Sequence, residues 1–130
     1  MASIFTKIIK GEIPCYKIAE DENYFAFLDI NPLAKGHTLV VPKKEVAYMF
    51  DLEDENLGGL HVFSKKVARA IEKVVPCKRI GTAVVGLEVP HTHIHLIPIN
   101  HIEDINFARE KLELTQDEFF EIAEAIKKEL

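Results

Sequence analysis

The segment Val89-Pro90-His91-Thr92-His93-Ile94-His95-Leu96-Ile97-Pro98 places three of the chain's six histidines within five residues, each separated by one residue that cannot ionise. Apolar and β-branched neighbours predict a strand here. Side chains alternate along a strand and each residue rises about 3.3 Å, so the three imidazoles would share one face at about 7 Å spacing. Thr92, Ile94 and Leu96 would then face a core. Such a row has three uses. A merely solvated face wastes a residue type with no strong strand preference. Alternate histidines can reach one zinc ion. In phosphate chemistry, one imidazole attacks phosphorus while its neighbours hold protons and charge. Periodicity leaves the last two open.

The elements that would position this row follow from local pattern. Ser3 caps a short helix through Ile4, Phe5, Ile8 and Ile9 that ends at Gly11. Cys15 to Glu20 and Tyr24 to Ile30 read as strands joined by a turn at Asp21-Glu22-Asn23, with Asp29 at the end of the second. A Pro- and Gly-containing loop over residues 31–36 leads to a third strand, His37 to Val41, stopped by Pro42 and Lys43-Lys44. Leu57, Leu60, Phe63, Val67, Ile71 and Val74 recur at helical spacing after a start at Asp51 or Glu53, and Pro76 ends that helix. Gly58-Gly59 inside it suggests a close approach, and His61 beside the stripe reads as a partly buried structural histidine. Arg79 to Val85 forms a fourth strand, Gly86 to Pro90 a turn, and the histidine segment the fifth strand. His101 begins a loop. Thr115-Gln116-Asp117-Glu118 is a capping box and Leu114 with Phe119 a hydrophobic staple. The final helix carries an apolar stripe of Phe119, Ile122, Ala123, Ile126 and Leu130. Five strands with few crossover helices predict an α+β domain on an antiparallel sheet.

Totals narrow the function. At 130 residues the chain fits one domain, residues 1–130, and 48% hydrophobic with 28% charged residues is ordinary for a globular protein. A net charge of −5 argues against extended nucleic acid, which requires a basic stripe. No run approaches a membrane span and no signal-type segment opens the sequence, and Cys15 and Cys77 make no secreted cysteine framework. The expected location is cytoplasmic. There is no P-loop or dinucleotide glycine fingerprint.

Four stretches in order resemble the histidine triad (HIT) family, in its branch of nucleoside phosphoramidases. They are Ile4-Phe5 with Lys7 to Pro14, Ala26 to Pro32, Gly36 to Lys43, and the triad itself. The resemblance implies a five-stranded antiparallel sheet with a long helix and a C-terminal helix, the sheet continued across a homodimer. It implies a hydrolase or transferase acting at the α-phosphate of a purine nucleotide, of phosphoramidate or dinucleoside polyphosphate type. In that reading His93 is the nucleophile and forms a covalent nucleotidyl-histidine. The main-chain carbonyl of His91 holds the proton on its far nitrogen, His95 binds a phosphoryl oxygen, and His37 is an orienting partner. Asp29 resembles the residue that takes the ribose hydroxyls, while Ile4, Phe5, Ile8, Phe27 and Ile30 resemble the walls around the base. No metal is required and no cofactor is expected.

The chain departs from the family in two places. Leu87 and Glu88 stand where many members carry a glutamine followed by serine or threonine, and Ile80 or Gly81 stands near an expected asparagine. If Glu88 points inward, it would disfavour polyphosphate leaving groups, although counting along an unbroken strand puts it out of phase with the triad. Zinc-holding members carry two cysteines and a histidine where Ser3, Thr6 and Glu45 stand here, so no structural zinc is expected. A homodimer is expected through the long helix and the strand after it, from the resemblance together with the breadth of the helix's apolar surface, which includes Val62, Phe63 and Ala70. Two rival classes stand beside the enzyme: a three-histidine metalloprotein, and a nucleotide-binding protein with little turnover.

Overall fold

A computed structural model describes residues 2–130. Five strands form one antiparallel sheet: β1 (Lys17–Glu20), β2 (Tyr24–Leu28), β3 (Thr38–Pro42), β4 (Arg79–Ala83) and β5 (Ile94–Ile99), in the order β1-β2-β3-β5-β4. The helices are α1 (Ile4–Ile9), α2 (Asp54–Val74) and α3 (Gln116–Lys127). Among the described residues, no helix is long and apolar enough to cross a membrane.

Strand alternation gives the sheet two faces with different tasks. Ala26, Leu28, Val40, Ile94 and Leu96 point to one face, where Leu60, Phe63, Val67 and Ile71 of α2 and Phe119, Ile122 and Ile126 of α3 complete the main core. Phe25, Phe27, Leu39 and Val41 point to the other, covered in part by Phe5 and Ile8 of α1. The cross-strand register sets Phe27 beside Leu39, Leu39 beside His95, and His95 beside Ala83. Phe27, Leu39 and His95 of that row floor a cavity on the second face.

Local chemistry explains the element ends. The Asp21 carboxylate accepts the N–H groups of Asn23 and Tyr24, both at 2.8 Å, and closes the β1–β2 turn. Ser3 caps α1 by accepting the Thr6 N–H, and Thr115 with Glu118 forms the capping box of α3. Leu114 packs on the core cluster that holds Phe119. Glu53 is the N-cap of α2, and Asp51 belongs to a separate 3-10 turn. Gly59 lies against Tyr24, whose hydroxyl would stand 2.1 Å from an added Cβ and donates to the Asn56 carbonyl. Gly58 has nothing comparable beside it.

Several expectations are corrected. His61 is exposed, its Nδ1 bonding back to the Leu57 carbonyl one turn earlier. Phe63 and Ala70 belong to the chain's own core and lend nothing to a dimer face, whereas Val62 is exposed. Leu130 is 44% exposed, past the end of the α3 stripe. Residues after His101 form a 3-10 turn, Ile102–Ile105, held by Asp104, whose carboxylate accepts the N–H groups of Asn100 and His101. β3 is shifted by one residue, so that it includes Pro42, and the other strands are shorter than expected, leaving Cys15, Asp29, Ile30, His37, Val84 and Val85 in connections.

The triad is not one continuous strand. His95 lies in β5, but His91, Thr92 and His93 precede it. The cause is Pro42. Extending the β3–β5 register by two residues would set Pro42 opposite Thr92, and proline has no N–H for that rung. The Thr92 N–H and hydroxyl instead donate to the Val46 carbonyl, at 2.8 and 2.7 Å. The Pro42 carbonyl is left for a side chain.

Candidate active site

Asp29 and His37 flank the loop between β2 and β3, where the Asp29 N–H donates to the His37 carbonyl at 3.0 Å. His37 is buried, and its Nδ1 accepts the Leu33 N–H at 3.0 Å. An imidazole nitrogen that accepts an amide proton is unprotonated, so the His37 proton sits on Nε2. That nitrogen lies 2.9 Å from Nδ1 of His95 and 3.5 Å from the Asp29 carboxylate. His37 therefore donates to His95, and His95 carries its own proton on Nε2. Burial, with His95 adding to it, pushes the His37 pKa down to about 3, and burial with His93 pushes His95 to about 4. Both are neutral near pH 7, so the relay delivers a fixed neutral N–H donor.

A second relay ends on His93. The His91 carbonyl lies 2.8 Å from His93 Nδ1 and can only accept, so that nitrogen carries the proton and Nε2 keeps its lone pair. His91 is fully buried and does not line the cavity. Its Nε2 donates to the Pro42 carbonyl at 2.7 Å, and its Nδ1 accepts from the Ser3 hydroxyl at 2.8 Å. Burial holds the His91 pKa below the ordinary histidine value. The rings of His93 and His95 are 4.9 Å apart by centroid and meet edge-on.

The cavity has a volume of about 460 Å³ and is mainly apolar. Every residue expected at the base wall lines it: Ile4, Phe5, Ile8, Phe27 and Ile30. Phe5 packs edge-on to His93, with centroids 4.9 Å apart, and to Phe27 at 5.5 Å, whereas Ile4 and Ile30 are exposed. Asp29 lines it too, one oxygen accepting the Asn31 N–H at 2.8 Å, and burial raises its pKa. Leu87 and Glu88 both line the cavity. The strand-phase count for Glu88 does not apply, since residues 84–93 are not in a strand.

Two lining residues come from a segment without apolar periodicity or a motif, between the 3-10 turn that ends at Ile105 and the Thr115 cap. Phe107 packs edge-on against His95, centroids 4.7 Å apart, and against His37 at 6.4 Å. Lys111 lies beside it, donating to the Phe107 carbonyl at 2.6 Å and the Arg109 carbonyl at 2.9 Å. Nothing in their local pattern marks them. They reach the site because the Leu112 N–H donates to the Pro32 carbonyl at 2.8 Å and straps this segment to the loop beside Asp29.

Two places could be considered for a metal. Asp29, His37 and His95 bring ligand atoms within 4.8 Å of one another. A metal on His37 Nε2 would need that nitrogen's lone pair and hence a proton on Nδ1, directed at the Leu33 N–H. The Leu33 amide forbids that tautomer, so this cluster is built to pass a hydrogen bond. The other place is where Ser3, Thr6 and Glu45 converge beside His91. There the Glu45 carboxylate accepts the Thr6 hydroxyl at 2.5 Å and the Ser3 N–H at 2.7 Å, and these bonds push its pKa down to about 2. Hydroxyls engaged in this way are poor zinc donors, and the set lacks thiolates. The three side chains do not fit a zinc site.

The HIT domain family matches residues 10–102. The adenosine 5'-monophosphoramidase of Schizosaccharomyces pombe is 44% identical over 100 residues, covering 75% of this chain and 74% of that protein. Among solved structures, a Hit-like protein involved in cell-cycle regulation from Bartonella henselae superposes with a TM-score of 0.85 at 31% identity, covering 98% of this chain and 96% of that one. A zinc-bound histidine triad family protein from Mycobacterium smegmatis gives 0.81 at 27% identity, covering 99% and 93%.

Proposed function

The chain belongs to the HIT domain family, and from that premise we propose that it hydrolyses nucleotides at the α-phosphate through a covalent intermediate on His93. The substrate class is a purine nucleoside phosphoramidate, or secondarily a dinucleoside polyphosphate. The observation that carries this reading is the pair of relays. One leaves a lone pair on His93 Nε2 and the other an N–H on His95 Nε2, on rings 4.9 Å apart, in a cavity lined by Asp29 and apolar walls. The similarity to an adenosine 5'-monophosphoramidase supports the phosphoramidate class.

In the first step the His93 Nε2 lone pair forms a bond to the α-phosphorus, and the P–N bond pair leaves with the amine, which takes a proton from water. His93 becomes an imidazolium whose Nδ1–H is held by the His91 carbonyl at 2.8 Å, so the positive charge meets a fixed dipole. The His95 N–H donates to a non-bridging phosphoryl oxygen. In the second step water bonds to phosphorus, the P–Nε2 pair returns to His93, and water's proton goes to solvent. Asp29 accepts from the ribose hydroxyls, and Phe5, Ile8 and Phe27 clasp the base. The protein acts as a homodimer, formed through the exposed face of α2 at Val62 and the unpaired edge of β4 and extending the sheet across both copies. A monomer mass by light scattering at micromolar concentration would contradict that assembly.

The test is steady-state release of adenosine monophosphate from adenosine phosphoramidate. His93→Ala should abolish it. His95→Ala should lower it by about 10²–10⁴-fold, the usual range for lost acid–base assistance. His91→Ala should lower it less, because the carbonyl that holds the His93 proton remains and only its anchoring to Ser3 and Pro42 is lost. Equal damage from all three would favour a set of metal ligands instead.

A further inference from the structure

A phosphoryl group reaching His93 brings negative charge into a cavity with little to meet it. His37 and His95 are neutral, and Asp29 and Glu88 are the carboxylates of the lining. Burying an anion without a countercharge is costly, so a site that handles nucleotides requires a cation. Among the described residues that line the cavity, Lys111 is the only lysine or arginine.

Its placement suits that task. The strap from Asn106 to Leu112 is tied down at two points, by Phe107 on the His95 ring and by the Leu112 N–H on the Pro32 carbonyl. Lys111 Nζ spends two protons on the carbonyls of Phe107 and Arg109, which fixes the side chain at the cavity wall. Among the described residues its third proton has no protein acceptor and it makes no ion pair within 4.0 Å. Holding a lysine with two carbonyls removes much of the rotamer entropy that binding would otherwise cost. The residue also lies beyond the stretch matched by the family, which ends at residue 102.

We propose that Lys111 is the phosphate-recognition residue of this cavity, its ammonium receiving the charge of the substrate's phosphoryl group. The inference rests on the cavity taking a nucleotide, but not on the covalent mechanism. It makes the site selective for nucleotides over nucleosides by a single charge-assisted contact.

Calorimetric titration of the full chain with adenosine monophosphate and with adenosine tests this directly. Lys111→Met keeps the aliphatic stem and removes the charge. It should weaken adenosine monophosphate about 10- to 100-fold, the worth of one hydrogen bond to a charged group, and leave adenosine within twofold. Lys111→Arg should restore most of the loss. Equal weakening of both ligands would make Lys111 a pillar of the strap and overturn the proposal, as would no change in either. A protein that binds adenosine monophosphate through Lys111 but never turns over a phosphoramidate would end the hydrolase reading and leave this inference standing. Failure of the unmodified chain to bind either ligand would end both.

Discussion

Lowering the pH from 7.5 to 5 should strip this protein of several kcal/mol of stability through His37 and His95 alone. Both are buried and neutral, with pKa values pushed to about 3 and about 4, whereas in the unfolded chain each titrates near the ordinary 6.5. The native state therefore binds fewer protons than the unfolded state between these values. Stability is fully present above pH 6.5 and is lost as pH falls toward the native pKa. At pH 5 each histidine has forfeited about 2 kcal/mol, from roughly 1.36 kcal/mol per unit below the unfolded pKa. The pair gives about 4 kcal/mol, a large share of the 5–15 kcal/mol that holds a typical domain. His91, also shifted down by burial, adds in the same direction. Asp29 opposes them, because its raised pKa makes the native carboxyl take a proton more readily than the unfolded one. Glu45 loses its contribution only below about pH 4.5, outside this window. Urea unfolding at pH 7.5, 6 and 5 reads the loss as a falling midpoint at constant slope. His37→Gln should remove about half of the pH dependence, whatever it does to stability at pH 7.5. A midpoint independent of pH over this range would refute the buried neutral relay.

Ser3→Ala removes the nearer donor to His91 Nδ1, leaving only the Thr6 hydroxyl at 3.4 Å, and it removes the N-cap of α1. Denaturant unfolding at neutral pH should show a loss of about 2 kcal/mol, and a change under 0.5 kcal/mol would mean that the contact is not formed in solution. Glu88→Gln removes a carboxylate from the cavity lining and should raise rates with dinucleoside polyphosphates relative to adenosine phosphoramidate. An unchanged ratio would show that the side chain is solvated during turnover.

What was legible in the sequence was what local pattern controls. Apolar periodicity located α2 and α3, the capping residues Ser3 and Thr115 fixed two helix starts, and alternation identified five strands. The triad drew attention because residue type and spacing coincided, and the family resemblance supplied Asp29, His37 and the base walls, all of which line the cavity. Strand alternation misjudged His91, which lies away from the cavity, since it assumes an unbroken ladder and Pro42 breaks this one. For Glu88 strand counting leaves the orientation open, and it lines the cavity from a connection that forms no strand. Phe107 and Lys111 were invisible because tertiary contacts alone bring them to the site, with Leu112 held on Pro32 far away in the chain. His61 shows the converse limit: a position beside an apolar stripe predicts partial burial, but the side chain is exposed and bonds back to the Leu57 carbonyl.

The central claim is that His93 Nε2 becomes bonded to phosphorus. Rapid-quench mixing with adenosine phosphoramidate, followed by intact-protein and peptide mass spectrometry, measures it directly. The predicted result is one adenylyl group per chain within the first turnover, located on His93, labile to acid, and absent from His93→Ala. Turnover without an adduct at any quench time, or an adduct that persists in His93→Ala, would contradict it.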